Sequence, residues 1–132
     1  MKNLLSKFIG IALQSAGLTL LFATQSVAQP VAIALENLPA NPEMRVITVN
    51  LEPGQASAPH RHNAHVFVYV LSGEVEMQVR GGPLRRLSAG DTFYESPSDI
   101  HQVSRNASDT QPAAFLVHML KSEGAPVTVP AD

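Results

Sequence analysis

Apolar and polar residues alternate along much of the chain, and this pattern predicts strands. In GEVEMQVR (73–80), Val75, Met77 and Val79 alternate with polar residues, so the two sets would lie on opposite faces of one strand. Six other short segments are also predicted as strands: RVITVNLE (45–52), VFVYVLSG (66–73), LRRL (84–87), TFYE (92–95), HQVS (101–104) and AAFLVHMLK (113–121). Gly and Pro turns separate these segments. The sequence therefore predicts an all-β domain, a single antiparallel sandwich or barrel.

The first 28 residues have the layout of a secretory signal peptide. Lys2 and Lys7 form a short basic start, an apolar stretch (8–23) follows, and Ser26-Val27-Ala28 places small residues before a cleavage site. A membrane anchor is the weaker interpretation, because polar residues interrupt a stretch that is already short for a bilayer span. We predict cleavage after Ala28 and a periplasmic or secreted protein with no stable membrane insertion after cleavage.

The remaining chain divides into an N-terminal arm (29–44), a β-barrel domain (45–121) and a C-terminal tail (122–132). Without Lys2 and Lys7 it carries seven basic and eleven acidic residues, a formal charge of −4. This mildly acidic balance predicts no binding to nucleic acid. The chain has no cysteine, which excludes thiolate metal sites and thiol catalysis. Any metal ion must therefore be held by nitrogen and oxygen atoms.

Histidines are concentrated in one short segment. HRHNAH (60–65) contains three of the five histidines in the chain. His60 and His62 are two residues apart, so in an extended chain both project to the same face. His101, which follows the turn at Ser96–Asp99, is the obvious third ligand. Three histidines form a common catalytic coordination set with open positions, although the His-x-His spacing alone is a weak signal.

Two longer motifs make this signal more specific, because here the chain resembles the cupin superfamily. The first cupin motif reads G-x5-HxH-x(3,4)-E-x6-G, and Gly54, His60, His62 and Gly73 stand at the matching positions. The second reads G-x5-P-x-G-x2-H-x3-N, and Gly90 and His101 match it. The resemblance covers about residues 45–121.

The resemblance implies a small antiparallel jelly-roll barrel that binds one divalent metal ion in its mouth. His60, His62 and His101 would be metal ligands, as in the three-histidine cupin dioxygenases that act on thiols or β-diketones. The ion could be iron, manganese, nickel, copper or zinc. The order of affinities favours copper and zinc, so geometry and supply must decide.

The departures from the motifs concern the fourth ligand. Val66 stands where the family has its ligand glutamate. In the second motif Ser96 and Ser98 replace proline and glycine, and the asparagine is one place late, at Asn106. Two arrangements remain open: a site of three histidines, or a four-histidine site that His65 joins through a bulge or the Asn63-Ala64 loop. Alternation along the strand favours the first.

Glu95 is the candidate catalytic residue. In TFYE (92–95), Phe93 and Glu95 share one face and Thr92 and Tyr94 the other. If Glu95 points into the barrel, it needs a partner, a metal ion or a raised pKa, and could support the metal or act as a general base. If the strand is turned over, Tyr94 faces inward and Glu95 is solvated. Both orientations remain open.

These features lead to one functional hypothesis and two alternatives. The leading hypothesis is an exported metal-binding cupin with dioxygenase activity on a small organic molecule. The alternatives are a non-catalytic barrel that binds a small ligand or a metal ion, and a metal-dependent isomerase or hydrolase that uses Glu95. His118 lies among leucines and is interpreted as a core or interface residue. Expected partners are a small molecule and, as an alternative to a monomer, a second copy of the chain.

Overall fold

The computed structural model describes residues 32–131, and all regular elements in this range are β-strands. They are β1 Pro42–Leu51, β2 His60–Arg61, β3 His65–Ser72, β4 Glu74–Val79, β5 Arg85–Ser88, β6 Thr92–Glu95, β7 His101–Asn106, β8 Ala113–Ser122 and β9 Val129–Pro130. No helix among the described residues is long and apolar enough to cross a membrane. The predicted signal peptide (1–28) lies outside the described residues.

The strands form two antiparallel sheets. The first has the order β1-β8-β3-β6, and the second has the order β5-β4-β7-β2-β9. All the strand pairs in both sheets are antiparallel. The predicted all-β antiparallel fold is confirmed, and the arrangement agrees with a jelly-roll.

The core lies between the inner faces of the two sheets. Val66, Val68 and Val70 alternate along β3 and are almost fully buried, and Val75 and Met77 do the same along β4. The alternation in 73–80 therefore places its apolar residues in the core, as the sequence predicts. Residues from β5, β6 and β8 complete this cluster: Leu87, Phe93, Phe115, Val117 and Met119.

The outer faces of the sheets differ in charge. On the second sheet Glu76 of β4 pairs with Arg105 of β7, and Arg86 of β5 pairs with Glu74. On the first sheet the exposed side chains include Met44, Val46, Tyr69 and Leu71. His118 lies on this apolar face, in register with Val46 and Phe67, and is half-buried. This position fits the interpretation of His118 as a packing residue.

The tail after β8 returns to the barrel. Gly124, whose φ is 71°, follows β8, and its amide donates to the Glu43 carboxylate. β9 then pairs with β2, so that Val129 lies opposite Arg61. The sequence gives no strand signal for β9, because neighbouring Pro residues disfavour one. The pairing brings the tail beside the histidine-rich segment.

Candidate metal centre

Three histidines from two separate parts of the chain meet inside the barrel. His60 of β2 and His101 of β7 are directly opposite one another in the antiparallel ladder. Their ring centroids are 5.1 Å apart, and that of His62 lies 4.8 Å from His60 and 6.4 Å from His101. One ring nitrogen from each residue lies within 4.8 Å of the others. The structure therefore brings together the three predicted ligands.

Backbone carbonyls orient two of these imidazoles. His60 Nδ1 lies 2.9 Å from the carbonyl oxygen of Ala58, and His62 Nδ1 lies 2.7 Å from that of Val127. A carbonyl only accepts, so each Nδ1 must be the protonated donor. In a neutral ring Nε2 then carries the lone pair, which is the form that binds a metal ion.

Burial also favours the neutral imidazole at His60. Its pKa is lowered, chiefly because the ring is partly removed from water, while the hydrogen bond to Ala58 opposes this shift. The neighbouring imidazoles of His62 and His101 lower the pKa of His60 further. Protons therefore compete less with a metal ion at this ring than at an exposed histidine.

The histidines line a small apolar cavity of about 100 Å³. Its polar lining consists of the three histidines, Glu95 and two serines, Ser57 and Ser104. The other lining residues are aliphatic or aromatic: Ile47, Val49, Val66, Val68, Phe115, Val117, Met119 and Val127. Because these walls offer little to water, they strengthen electrostatic interactions within the cavity.

Glu95 points into this cavity, so the structure resolves its orientation. It is 2% exposed, and its carboxylate oxygens lie 3.1 Å from His101 Nδ1 and 4.0 Å from His62 Nε2. Phe93, on the same face of β6, is also buried and its ring lies 5.9 Å from that of His101. Tyr94 points the other way.

His65 is not brought to the other histidines. Its Nδ1 lies 2.8 Å from the Tyr94 hydroxyl, and its Nε2 lies 2.8 Å from the Glu36 carbonyl oxygen. Both ring nitrogens are therefore engaged by protein groups, and His65 is on the side of the sheet opposite to Glu95 and the cavity. Asn63, with a φ of 49°, bends the chain between His62 and β3. The arrangement with three histidines is the one that the structure contains.

Sequence reasoning missed the part played by Val127. Its carbonyl accepts from His62, and its side chain lines the cavity. The tail 122–132 is rich in Ala and Pro and has no periodic pattern, so no signal in the sequence marks this residue. Its contact with His62 spans 65 residues of chain.

The donor set fits a divalent metal ion. His101 Nε2 and Glu95 Oε1 are buried and have no hydrogen-bond partner among the described residues. Buried polar atoms are almost always satisfied, so such atoms beside two further imidazoles indicate a ligand. Imidazole nitrogen and carboxylate oxygen are ligands for zinc, iron, manganese and related ions.

Comparisons with known proteins agree with this fold. The chain matches the Cupin domain family over residues 47–119. None of the curated proteins compared with it gives a significant match. Its fold is similar to that of TT1209 from Thermus thermophilus, at 31% identity and a TM-score of 0.52, with 60% of this chain and 73% of that chain covered.

Two further structures extend the comparison. The DMSP lyase DddQ from Ruegeria pomeroyi is 26% identical, with a TM-score of 0.57. The match covers 65% of this chain and 42% of the lyase, so this chain spans less than half of that protein. A conserved protein with a double-stranded β-helix domain from Klebsiella pneumoniae is 24% identical with a TM-score of 0.56, covering 74% and 90%. With more than half of its length matched by the family, the chain belongs to the cupins.

Proposed function

We propose that this chain is an exported cupin that binds one divalent metal ion at His60, His62 and His101 and uses it to oxidise a small organic molecule with dioxygen. The observation that carries the proposal is the convergence of three imidazoles in one apolar cavity. When bound, the ion supplies a Lewis acid with open coordination positions. Iron, manganese, nickel, copper and zinc all remain candidates.

The protein contributes orientation and exclusion of water. The carbonyls of Ala58 and Val127 fix the rings of His60 and His62, so that little reorganisation is needed when the metal ion binds. The aliphatic walls contributed by β1, β3 and β8 separate the reacting groups from solvent.

The cavity limits the substrate. Its volume of about 100 Å³ is smaller than the roughly 150 Å³ cavity that holds a benzene molecule in an engineered protein. The part of a substrate that enters the cavity therefore has only a few non-hydrogen atoms. One of the similar structures is a DMSP lyase. The substrate class that we propose is a small organic molecule with an oxygen or sulfur atom that can bind the ion.

The test begins with metal content. Protein isolated from the exported fraction should contain about one divalent ion per chain by elemental analysis, and His101→Ala should lose it. His118→Ala is the matched control, because His118 lies on the outer face of the first sheet and does not line the cavity. A folded His101→Ala protein that keeps stoichiometric metal would contradict the metal centre.

The second stage measures oxygen uptake with a panel of small thiols, diketones and hydroxy acids. Substrate-dependent uptake that needs the metal supports the dioxygenase chemistry. Metal-dependent consumption of substrate without oxygen uptake would instead favour the isomerase or hydrolase alternative. Ligand binding without turnover would favour a non-catalytic binding module.

A further inference from the structure

We infer that Glu95 is the fourth ligand of the proposed metal centre, supplied by β6 instead of β3. The inference rests on the proposed metal site and adds a carboxylate ligand to it. Glu95 does not stand at a ligand position of either cupin motif. It also assigns Glu95 to metal binding, and not to proton transfer.

The register of the first sheet places Glu95 where such a ligand is needed. Val66 of β3 and Glu95 of β6 are directly opposite one another in the antiparallel ladder. Side chains of paired residues lie on the same face of a sheet, and neighbouring strands are about 4.8 Å apart. Both residues line the cavity. A carboxylate at Glu95 therefore enters the cavity at the level of Val66, from the adjacent strand.

The carboxylate oxygens of Glu95 face the imidazoles of the proposed site. Oε1 lies 3.1 Å from His101 Nδ1 and Oε2 lies 4.0 Å from His62 Nε2. Oε1 is nevertheless buried without a hydrogen-bond partner among the described residues, as is His101 Nε2. Buried polar atoms are almost always satisfied, so an unpartnered carboxylate oxygen beside these rings supports a bound cation.

The charge of the cavity leads to the same assignment. Its described lining contains Glu95 as its one carboxylate and no Lys or Arg side chain. A buried carboxylate without a counter-charge is strongly unfavourable, so buried charges are paired or bind metals. A divalent cation held by the three histidines would provide that counter-charge.

A carboxylate ligand changes what the site selects. Three imidazoles alone suit zinc, copper, iron and nickel, whereas oxygen ligands also suit manganese. The donor set that the residues would offer is therefore three nitrogens and one oxygen.

The experiment titrates metal-free protein with Co²⁺ and follows both affinity and the visible spectrum of the bound ion. We expect Glu95→Gln to lower the Co²⁺ affinity by at least about tenfold and to change the spectrum, because an oxygen ligand is replaced by a weaker one. Glu76→Gln is the control, because it removes a carboxylate that pairs with Arg105 on the outer face of the second sheet. It should change neither the Co²⁺ affinity nor the spectrum.

Infrared difference spectra of the unaltered protein provide a readout that needs no variant to fold. Addition of Co²⁺ should shift a carboxylate band, and no shift would overturn the assignment. If Glu95→Gln leaves the spectrum of the bound Co²⁺ unchanged, Glu95 is not a ligand whatever the affinity, because loss of a group that only supports a ligand also weakens metal binding. A loss of turnover alone would make Glu95 a proton acceptor. If His101→Ala also keeps its Co²⁺, the proposed metal centre itself is wrong. This result distinguishes failure of the metal centre from failure of the Glu95 assignment alone.

Discussion

The C-terminal segment should tune the metal site although it supplies no ligand. The Val127 carbonyl accepts from His62 Nδ1 at 2.7 Å, and β9 pairs with the strand that contains His60. Truncation after Pro126 removes this carbonyl and β9 together. His62 would then lose the group that fixes its ring and holds Nε2 toward the cavity.

The expected loss can be worked out from this contact. A metal-binding imidazole usually donates a hydrogen bond from the ring nitrogen that does not bind the ion. Removal of the group that accepts this bond typically lowers metal affinity by about 10- to 100-fold, or about 1.4 to 2.7 kcal/mol. The effect depends on the carbonyl and not on the Val127 side chain. Val127→Ala should therefore keep the metal affinity while enlarging the cavity by about two methyl groups.

A competition titration with a chromophoric chelator and Zn²⁺ measures the affinity of each form. Truncation after Thr128 is the matched control, because it keeps the Val127 carbonyl but removes β9. It should weaken binding less than truncation after Pro126. Equal affinities for the full chain and the form ending at Pro126, with both proteins folded, would refute the role of the carbonyl.

Three further predictions concern stability and export. In urea titrations, Gly73→Ala should lower the free energy of unfolding by more than Gly81→Ala. Both glycines have positive φ, but only at Gly73 would the new Cβ lie 2.5 Å from a backbone oxygen. Equal losses of stability would contradict this. Hydrogen bonds from Lys121, Arg45 and the Gly124 amide lower the pKa of Glu43 from 4.5 to about 2. The unfolded protein therefore takes up a proton first, and stability should fall as the pH drops from 4.5 to 2. Glu43→Gln should flatten this part of the pH profile, and parallel profiles would refute it. Mass spectrometry of exported protein should show a chain that begins near Gln29, whereas an intact Met1 in the membrane fraction would indicate an anchor.

Much of the barrel could be predicted because it depends on local pattern. The strand predicted at 92–95 is β6 itself. The segment predicted at 66–73 is shifted by one residue from β3, and the segment at 113–121 ends one residue before β8 does. Alternating apolar residues must turn one face to the core whatever their partners are. β2 and β9 were not predicted, since each has only two residues and exists through its pairing with another strand.

The histidine cluster could also be predicted largely from local sequence patterns. The spacing of His60 and His62, with His101 after a turn, predicted a meeting that the register between β2 and β7 brings about. The same alternation predicted that His65 faces away from the cavity, and its bonds to Tyr94 and Glu36 agree with this. Export and a partner copy stay predictions, because the described residues do not test them.

Tertiary structure alone decided the orientation of Glu95 and the role of Val127. A four-residue strand alternates equally well in either orientation, and only the pairing of β6 with β3 turns Glu95 and Phe93 inward and Tyr94 outward. Val127 reaches His62 because the tail folds back across the barrel. Contacts between residues so far apart in the chain depend on how separate elements pack, and a single sequence contains no pattern that records them.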